Sequence, residues 1–260
     1  MDTLITLDLL QLGWVLGLMV IAIGLALWQQ LGLAWNLIVG TGRTVMQLLV
    51  AGYFLELVFE LQSAWAVLLV LLVMVGVATG VSRNRISPKL TSLWPWIGGS
   101  LIFSTTVTLV YVIVLVLQPD PWYSPQYWIP LGGILLGNAM NASAIAGERL
   151  VSALSRSQVD IETYLSLGAT PAQATTSYRQ DAIKAGMIPI INSMMVVGLV
   201  TLPGVMTGQI LSGIRPITAV SYQILIMIVL AFTNLVATIL VIKAIEKQFF
   251  NGTMQFRVPS

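Results

Sequence analysis

The sequence predicts an all-α, polytopic integral membrane protein: a bundle of about seven transmembrane helices, with the N-terminus outside and the C-terminus inside. Three observations predict it. Of 260 residues, 57% are hydrophobic and 8% charged, where a soluble domain carries about 25% charged residues. Mean hydropathy is +0.90. Basic residues flank the apolar runs on one side, and this asymmetry sets the orientation.

A bilayer core about 30 Å thick needs roughly 20 apolar residues per helix. That ruler marks spans at Leu9–Leu27, Thr44–Phe59, Ala64–Val81, Trp96–Leu117, Trp128–Ala146, Met187–Leu211 and Ile217–Ile242. The second is short and extends back through Val39. The first is read as a span rather than a signal peptide, because Asp2 and Asp8 precede it and no basic n-region does. With the N-terminus outside, eleven of the twelve Lys and Arg fall inside and only Arg215 falls outside. The outer loop "QPDPWYSPQYW" places Trp122, Tyr123, Tyr127 and Trp128 at the membrane–water interface, where amphipathic rings anchor. A basic balance made of membrane-flanking residues does not call for nucleic acid.

One inner segment, 148–186, differs from the short connections. It carries four basic and four acidic residues and reads as helix–elbow–helix within a single permease domain, 1–260. Ser157 is the expected N-cap, with Asp160 in the first turn. Gly168 stops that helix. Thr170 caps the next one, with Pro171 at its first position and Gln173 completing a capping box. Such an elbow either docks a soluble partner or merely joins two spans.

In "GLVTLPGVMTGQILSG", Pro203 and Gly204 break an apolar run that also holds Thr201, Thr207 and Gln209. Proline removes a helical hydrogen bond, and irregular backbone at membrane depth is tolerated only where protein buries it or water lines it. The run is either a discontinuous transport helix or a kink whose Gly204 and Gly208 admit a neighbour. In "GGILLGNAMNASAIAGERL", Asn138 and Asn141 share one face of a helix rich in small residues. Glu56, Asn138, Asn141 and Gln209 form a candidate polar translocation path, with possible metal-ligating oxygens. The opposing reading is that the amides bond helix to helix and Glu56 reaches the outer surface. Met140, Met194, Met195 and Met206 cluster in these two spans; thioethers bind soft metals but also fill irregular packing.

The chain contains no Cys and no His, which removes disulfides, thiolate and imidazole metal sites, and Ser-His catalysis. No P-loop occurs, so the chain does not itself bind ATP through one. No catalytic constellation is found and no cofactor is expected.

The segments "LGNAMNASAIAGERL", "YLSLGATPAQA" and "GLVTLPGVMTGQILSG", with "GRTVMQLLVAGYFL" in the second span, closely resemble the iron-export ABC permease family, which includes plant aluminium-resistance half-transporters. The resemblance runs through most of the chain. It implies a multi-pass permease subunit of the cell (inner) membrane that pairs with a separate ATPase chain, which binds the ATP. It also implies a homodimer and iron export or metal-stress resistance, although plant relatives are associated with nucleotide-sugar movement. The elbow loosely resembles the coupling motif of ABC permeases, with Glu162 and Gly168 six residues apart. Thr163 and Tyr164 replace its usual small pair, and Ile188–Pro189 is displaced. Glu162, Gly168, Thr170 and Pro171 are thus the expected contacts to the ATPase. Two other classes stay open: a gradient-driven channel or secondary transporter, and a membrane scaffold whose polar residues only pack helices.

Overall fold

The structure is a computed structural model that describes residues 8–88, 90–251 and 255–256. The described residues form helices joined by short connections, with only isolated bridges at Val197–Thr201 and Phe250–Phe256. Among the described residues, six helices are long and apolar enough to cross a membrane. The chain divides into two units: α1 and α2 with residues 211–214, and the remainder from residue 63 onward.

In the first unit, α1 (Leu9–Trp28) starts at Asp8, whose backbone N–H donates to Gln11 Oε1 at 2.9 Å. The next helix, α2 (Ala34–Leu61), begins ten residues before the expected Thr44. Nothing between the two positions stops a helix. Thr41 and Thr44 turn their hydroxyls onto the carbonyls of Leu37 and Gly40, at 2.8 Å each, so neither demands a partner elsewhere. Gln62, in the left-handed region at φ 41°, ends α2.

The second unit contains α3 (Ala64–Ile86), a 3₁₀ turn (Thr91–Leu93), and α4 (Trp94–Tyr111), which runs on as a π-helical turn (Val112–Leu117). Then come α5 (Pro125–Arg156), α6 (Gln158–Ser166), α7 (Pro171–Ala174), α8 (Thr176–Val196), α9 (Gly204–Leu211) and α10 (Pro216–Gln248). At 32 and 33 residues, α5 and α10 are each nearly 50 Å long at about 1.5 Å per residue. They exceed the roughly 30 Å apolar layer. These two pack on each other and on α3, α4 and α8. Leu136, Ala139, Ala146, Leu150 and Leu154 of α5 meet Ala237, Val241, Ile242 and Ile245 of α10 in one buried core. The three-and-four spacing of the α5 set is one helical stripe.

Close approach depends on glycine, as Gly186 and Gly147 show. A Cβ at Gly186 of α8 would lie 2.6 Å from the Ala142 carbonyl oxygen of α5, and one at Gly147 would lie 2.7 Å from Ile86.

Two expected segments differ in their bounds from the elements that form. Met187–Leu211 is discontinuous, the first of its two readings, but the gap is wider than Pro203–Gly204: α8 stops at Val196, residues 197–203 are non-helical, and α9 restarts at Gly204. The segment 148–186 contains a helix–elbow–helix, α6 and α7 about Gly168, but is wider than it. Residues 148–156 are the last turns of α5 and 176–186 the first turns of α8, which leaves 157–175 as the elbow. Helix α5 extends because nothing after Ala146 breaks it, and Leu150 and Leu154 continue its buried stripe.

Candidate functional site

The elbow is built by local chemistry. Ser157 makes no side-chain cap bond; it is the hinge residue shared by the end of α5 and the start of α6. The Ser157 cap is therefore not formed: its backbone, at φ −105° and ψ 29°, is not in the extended conformation that turns a cap side chain onto the first turn. At the other end of α6, Gly168 adopts φ +88°. Its N–H donates to Leu165 O and the Ala169 N–H to Tyr164 O, both at 3.0 Å, a Schellman stop. Thr170 then caps α7 reciprocally with Gln173, and Pro171 opens the helix. Ile161 is fully buried beneath α6. Glu162 lies exposed and accepts from Gln158 Nε2 at 2.8 Å. Val159, Tyr164 and Leu167 are 75%, 55% and 80% exposed, so this short polar helix offers an apolar face.

The elbow is tied to the far end of the chain by groups the sequence reading missed. Arg179 Nη1 of α8 donates to Glu246 Oε2 of α10 at 3.0 Å, and Nη2 donates to the Ala172 carbonyl at 3.0 Å. The buried Thr175 hydroxyl donates to Glu246 Oε1 at 2.6 Å. One carboxylate thus holds both α7 and α8. With this pair at the start of α8 and Val197 and Gly198 beside Val220 and Gln223 at its finish, α8 runs antiparallel to α10.

The predicted path residues lie on three helices, α5 and α9 of the second unit and α2 of the first. Asn138 and Asn141 lie about one turn apart on α5. Asn138 turns its amide back to Ile134 O at 2.9 Å, and Asn141 is exposed. Gln209 is half-buried on α9, which packs extensively on no other helix, and Glu56 is exposed on α2 of the first unit. Buried polarity sits elsewhere. Ser100, Ser104, Thr105 and Thr108 of α4 and Thr233, Asn234 and Thr238 of α10 are all buried. The Thr108 and Thr233 hydroxyls meet at 2.9 Å, while Thr105 Oγ1, Asn234 Oδ1 and Thr238 Oγ1 have no partner. The four-residue spacing of Ser100, Ser104 and Thr108 was a readable signal of a polar stripe.

The break itself is a tight turn. Gly198 takes φ +80°, and its N–H donates to Thr201 O at 2.9 Å. Gly204 does not weaken a helix interior; it is the first residue of α9, directly after Pro203. Nothing lies within 4 Å of a Cβ built at Gly204 or Gly208, so neither serves close approach here. Beside the turn lies a cavity of about 290 Å³, lined by Met194, Val197, Gly198, Met206, Val220, Gln223, Ile224, Met227 and Ile228. At the start of α5, Trp128 Nε1 donates to Trp122 O at 2.7 Å, and the two rings meet edge-on.

Comparison with known proteins bears on the whole chain. The sequence model of the uncharacterised protein family UPF0014 matches residues 9–250. The UPF0014 membrane protein slr1647 of Synechocystis is 51% identical over 98% of this chain and 98% of its own. The "Probable iron export permease protein FetB" of Escherichia coli is 33% identical over 95% of this chain and 94% of its own. The protein ALUMINUM SENSITIVE 3 of Arabidopsis thaliana is 33% identical over 80% and 74%. No solved structure matches.

Proposed function

From the premise that the chain belongs to the UPF0014 family of multi-pass membrane proteins, we propose that it is the permease subunit of an ABC exporter for iron or a related metal ion. A separate ATPase chain drives it. The observation that carries this reading is the end-to-end similarity to a protein named as an iron export permease. The elbow supports it: a short helix on the predicted cytoplasmic side presents Glu162, Val159, Tyr164 and Leu167 outward while Ile161 anchors it.

In this reading the N-terminus is outside and the C-terminus inside, following the basic asymmetry. Helix α8, 21 residues long and so about 31 Å, makes the seventh crossing with the break at its outer end. The ATPase docks on α6 and α7 and displaces the Gly168 elbow. Because Glu246 grips both Thr175 and Arg179, the displacement passes into α8 and α10 together. Asn138 and Asn141 line the path, with Gln209 and Glu56 as candidate oxygen donors to the transported ion. Asn141, exposed midway along α5, would be costly against lipid and is met by a second copy in a homodimer.

The test is co-purification with a candidate P-loop ATPase, followed by hydrolysis assays with metal ions added. Failure of any ATPase to associate, with metal flux persisting in vesicles without ATP, would favour a gradient-driven transporter. A complex that works with a single copy of this chain, weighed by native mass spectrometry, would refute the homodimer.

A further inference from the structure

The chain offers few donors for a metal ion. It contains no Cys and no His, and among the described residues no group of three or more Asp and Glu could hold one. Its remaining soft donors are the methionine thioethers. Three of them come together from separate elements: Met194 near the end of α8, Met206 in the first turn of α9 and Met227 on α10 all line the cavity of about 290 Å³.

Methionine often fills gaps, but gap-filling closes space, and here a cavity remains. Its lining includes Gln223, which is 5% exposed and whose Oε1 has no hydrogen-bond partner. An amide oxygen buried in an apolar wall without a donor is costly to leave that way. A cation would satisfy it.

The donor set also sets the charge and softness of the cation. Thioethers select soft ions, whereas Zn²⁺ and Fe²⁺ favour imidazole and Mg²⁺ or Mn²⁺ favours carboxylate. All four donors are neutral. In a low-dielectric wall they cannot offset the dehydration of a divalent or trivalent ion, which is far more costly than that of a singly charged one. We propose that this cavity binds a soft monovalent cation, Cu(I) or Ag(I), through the thioethers of Met194, Met206 and Met227 and the Oε1 of Gln223. Flexible methionine side chains allow the donors to close on the ion. Because Met206 sits in the first turn of α9, occupancy fastens α9 to α8 and α10 across the break. This cavity is a separate site from the oxygen-donor path of the export reading, and the inference does not depend on that reading.

The experiment uses the full chain in lipid nanodiscs, titrated with Cu(I) in competition with a bicinchoninate chelator. Ag(I) is followed in parallel by methyl-¹³C methionine spectra. One Cu(I) per chain is expected, with the signals of Met194, Met206 and Met227 shifting on Ag(I). The Met206→Leu/Met227→Leu pair, close to volume-conserving, should keep its fold and weaken Cu(I) by at least about tenfold. Met46→Leu, at a residue that is 71% exposed and outside the cavity, should bind as the unsubstituted chain does. Equal Cu(I) affinity in the Met206→Leu/Met227→Leu variant overturns the proposal. So does displacement of Cu(I) by an equal concentration of Fe(II), or an absence of binding. If an ATPase couples normally while Cu(I) does not bind, this inference falls and the export reading stands. If Cu(I) binds and no ATPase associates, the reverse holds.

Discussion

The two ends of the α8–α10 pair, named inner and outer after the proposed orientation, are built on different terms. At the inner end Thr175, Ala182, Ile242 and Ile245 are almost wholly buried, and Glu246 fixes Thr175 and Arg179 with charge-assisted bonds. At the outer end the backbone leaves the helix for seven residues, a cavity opens, and Leu199 and Val200 are 87% and 81% exposed. The inner end has the geometry of a joint that transmits force. The outer end has few contacts to hold one arrangement, which is the property expected of a segment that changes shape.

The first way to break this contrast is Glu246→Ala. Removing one partner of a largely buried pair costs about 3–5 kcal/mol, and it leaves the Thr175 hydroxyl only the Pro171 carbonyl, at 2.9 Å, as acceptor. The thermal midpoint in detergent should fall sharply, whereas Arg179→Met/Glu246→Leu together should recover most of the loss. A small loss in the single variant would mean that the inner joint is no stiffer than the outer one.

Gly186→Val follows, because its Cβ would lie 2.6 Å from Ala142 O and overpacking costs about 1–3 kcal/mol. Size-exclusion profiles and thermal midpoints should show the damage. Gly168→Val forces a β-branched residue to φ +88°, at about 1–2 kcal/mol. Its larger effect should be on coupling: ATPase association and membrane abundance hold while transport-linked hydrolysis falls. Normal hydrolysis in that variant would reduce the elbow to a connector. The smallest effect belongs to the outer end. Gly204→Ala meets nothing within 4 Å and should leave the thermal midpoint nearly unchanged, a shift below about 1 kcal/mol. A large loss there would show that the break is as closely packed as the joint.

Some of this architecture was legible in the sequence for physical reasons. Spans are set by runs of apolar residues against a fixed bilayer thickness, and six helices meet that criterion. The stop at Gly168 and the Thr170–Gln173 cap are signals within three residues, and both formed as read. The Ser157 cap failed because α5 runs directly into that residue and leaves its backbone outside the extended region that a cap needs. The Arg179–Glu246 pair was out of reach, since its partners are 67 residues apart and only the antiparallel packing of α8 on α10 joins them. The polar path was sought in conspicuous residues such as Glu56 and Gln209. The buried polar groups proved to be mainly hydroxyls, most of them on α4 and α10, which look unremarkable one at a time in an apolar run.

The Arg179–Glu246 bond also imposes an order on biosynthesis. Translation delivers the arginine first, and its carboxylate leaves the ribosome 67 residues later. Throughout that interval the elbow's capping box and glycine stop can form, because their partners are already made, and Ile161 can pack on α5, but the carboxylate that ties the elbow to α10 is still missing. That tie waits for the last turn of α10. A nascent chain halted before Glu246 would carry α6 and α7 in folded form without it. The late carboxylate thus acts as a completion mark: the elbow is joined to α10 only once that helix has been made.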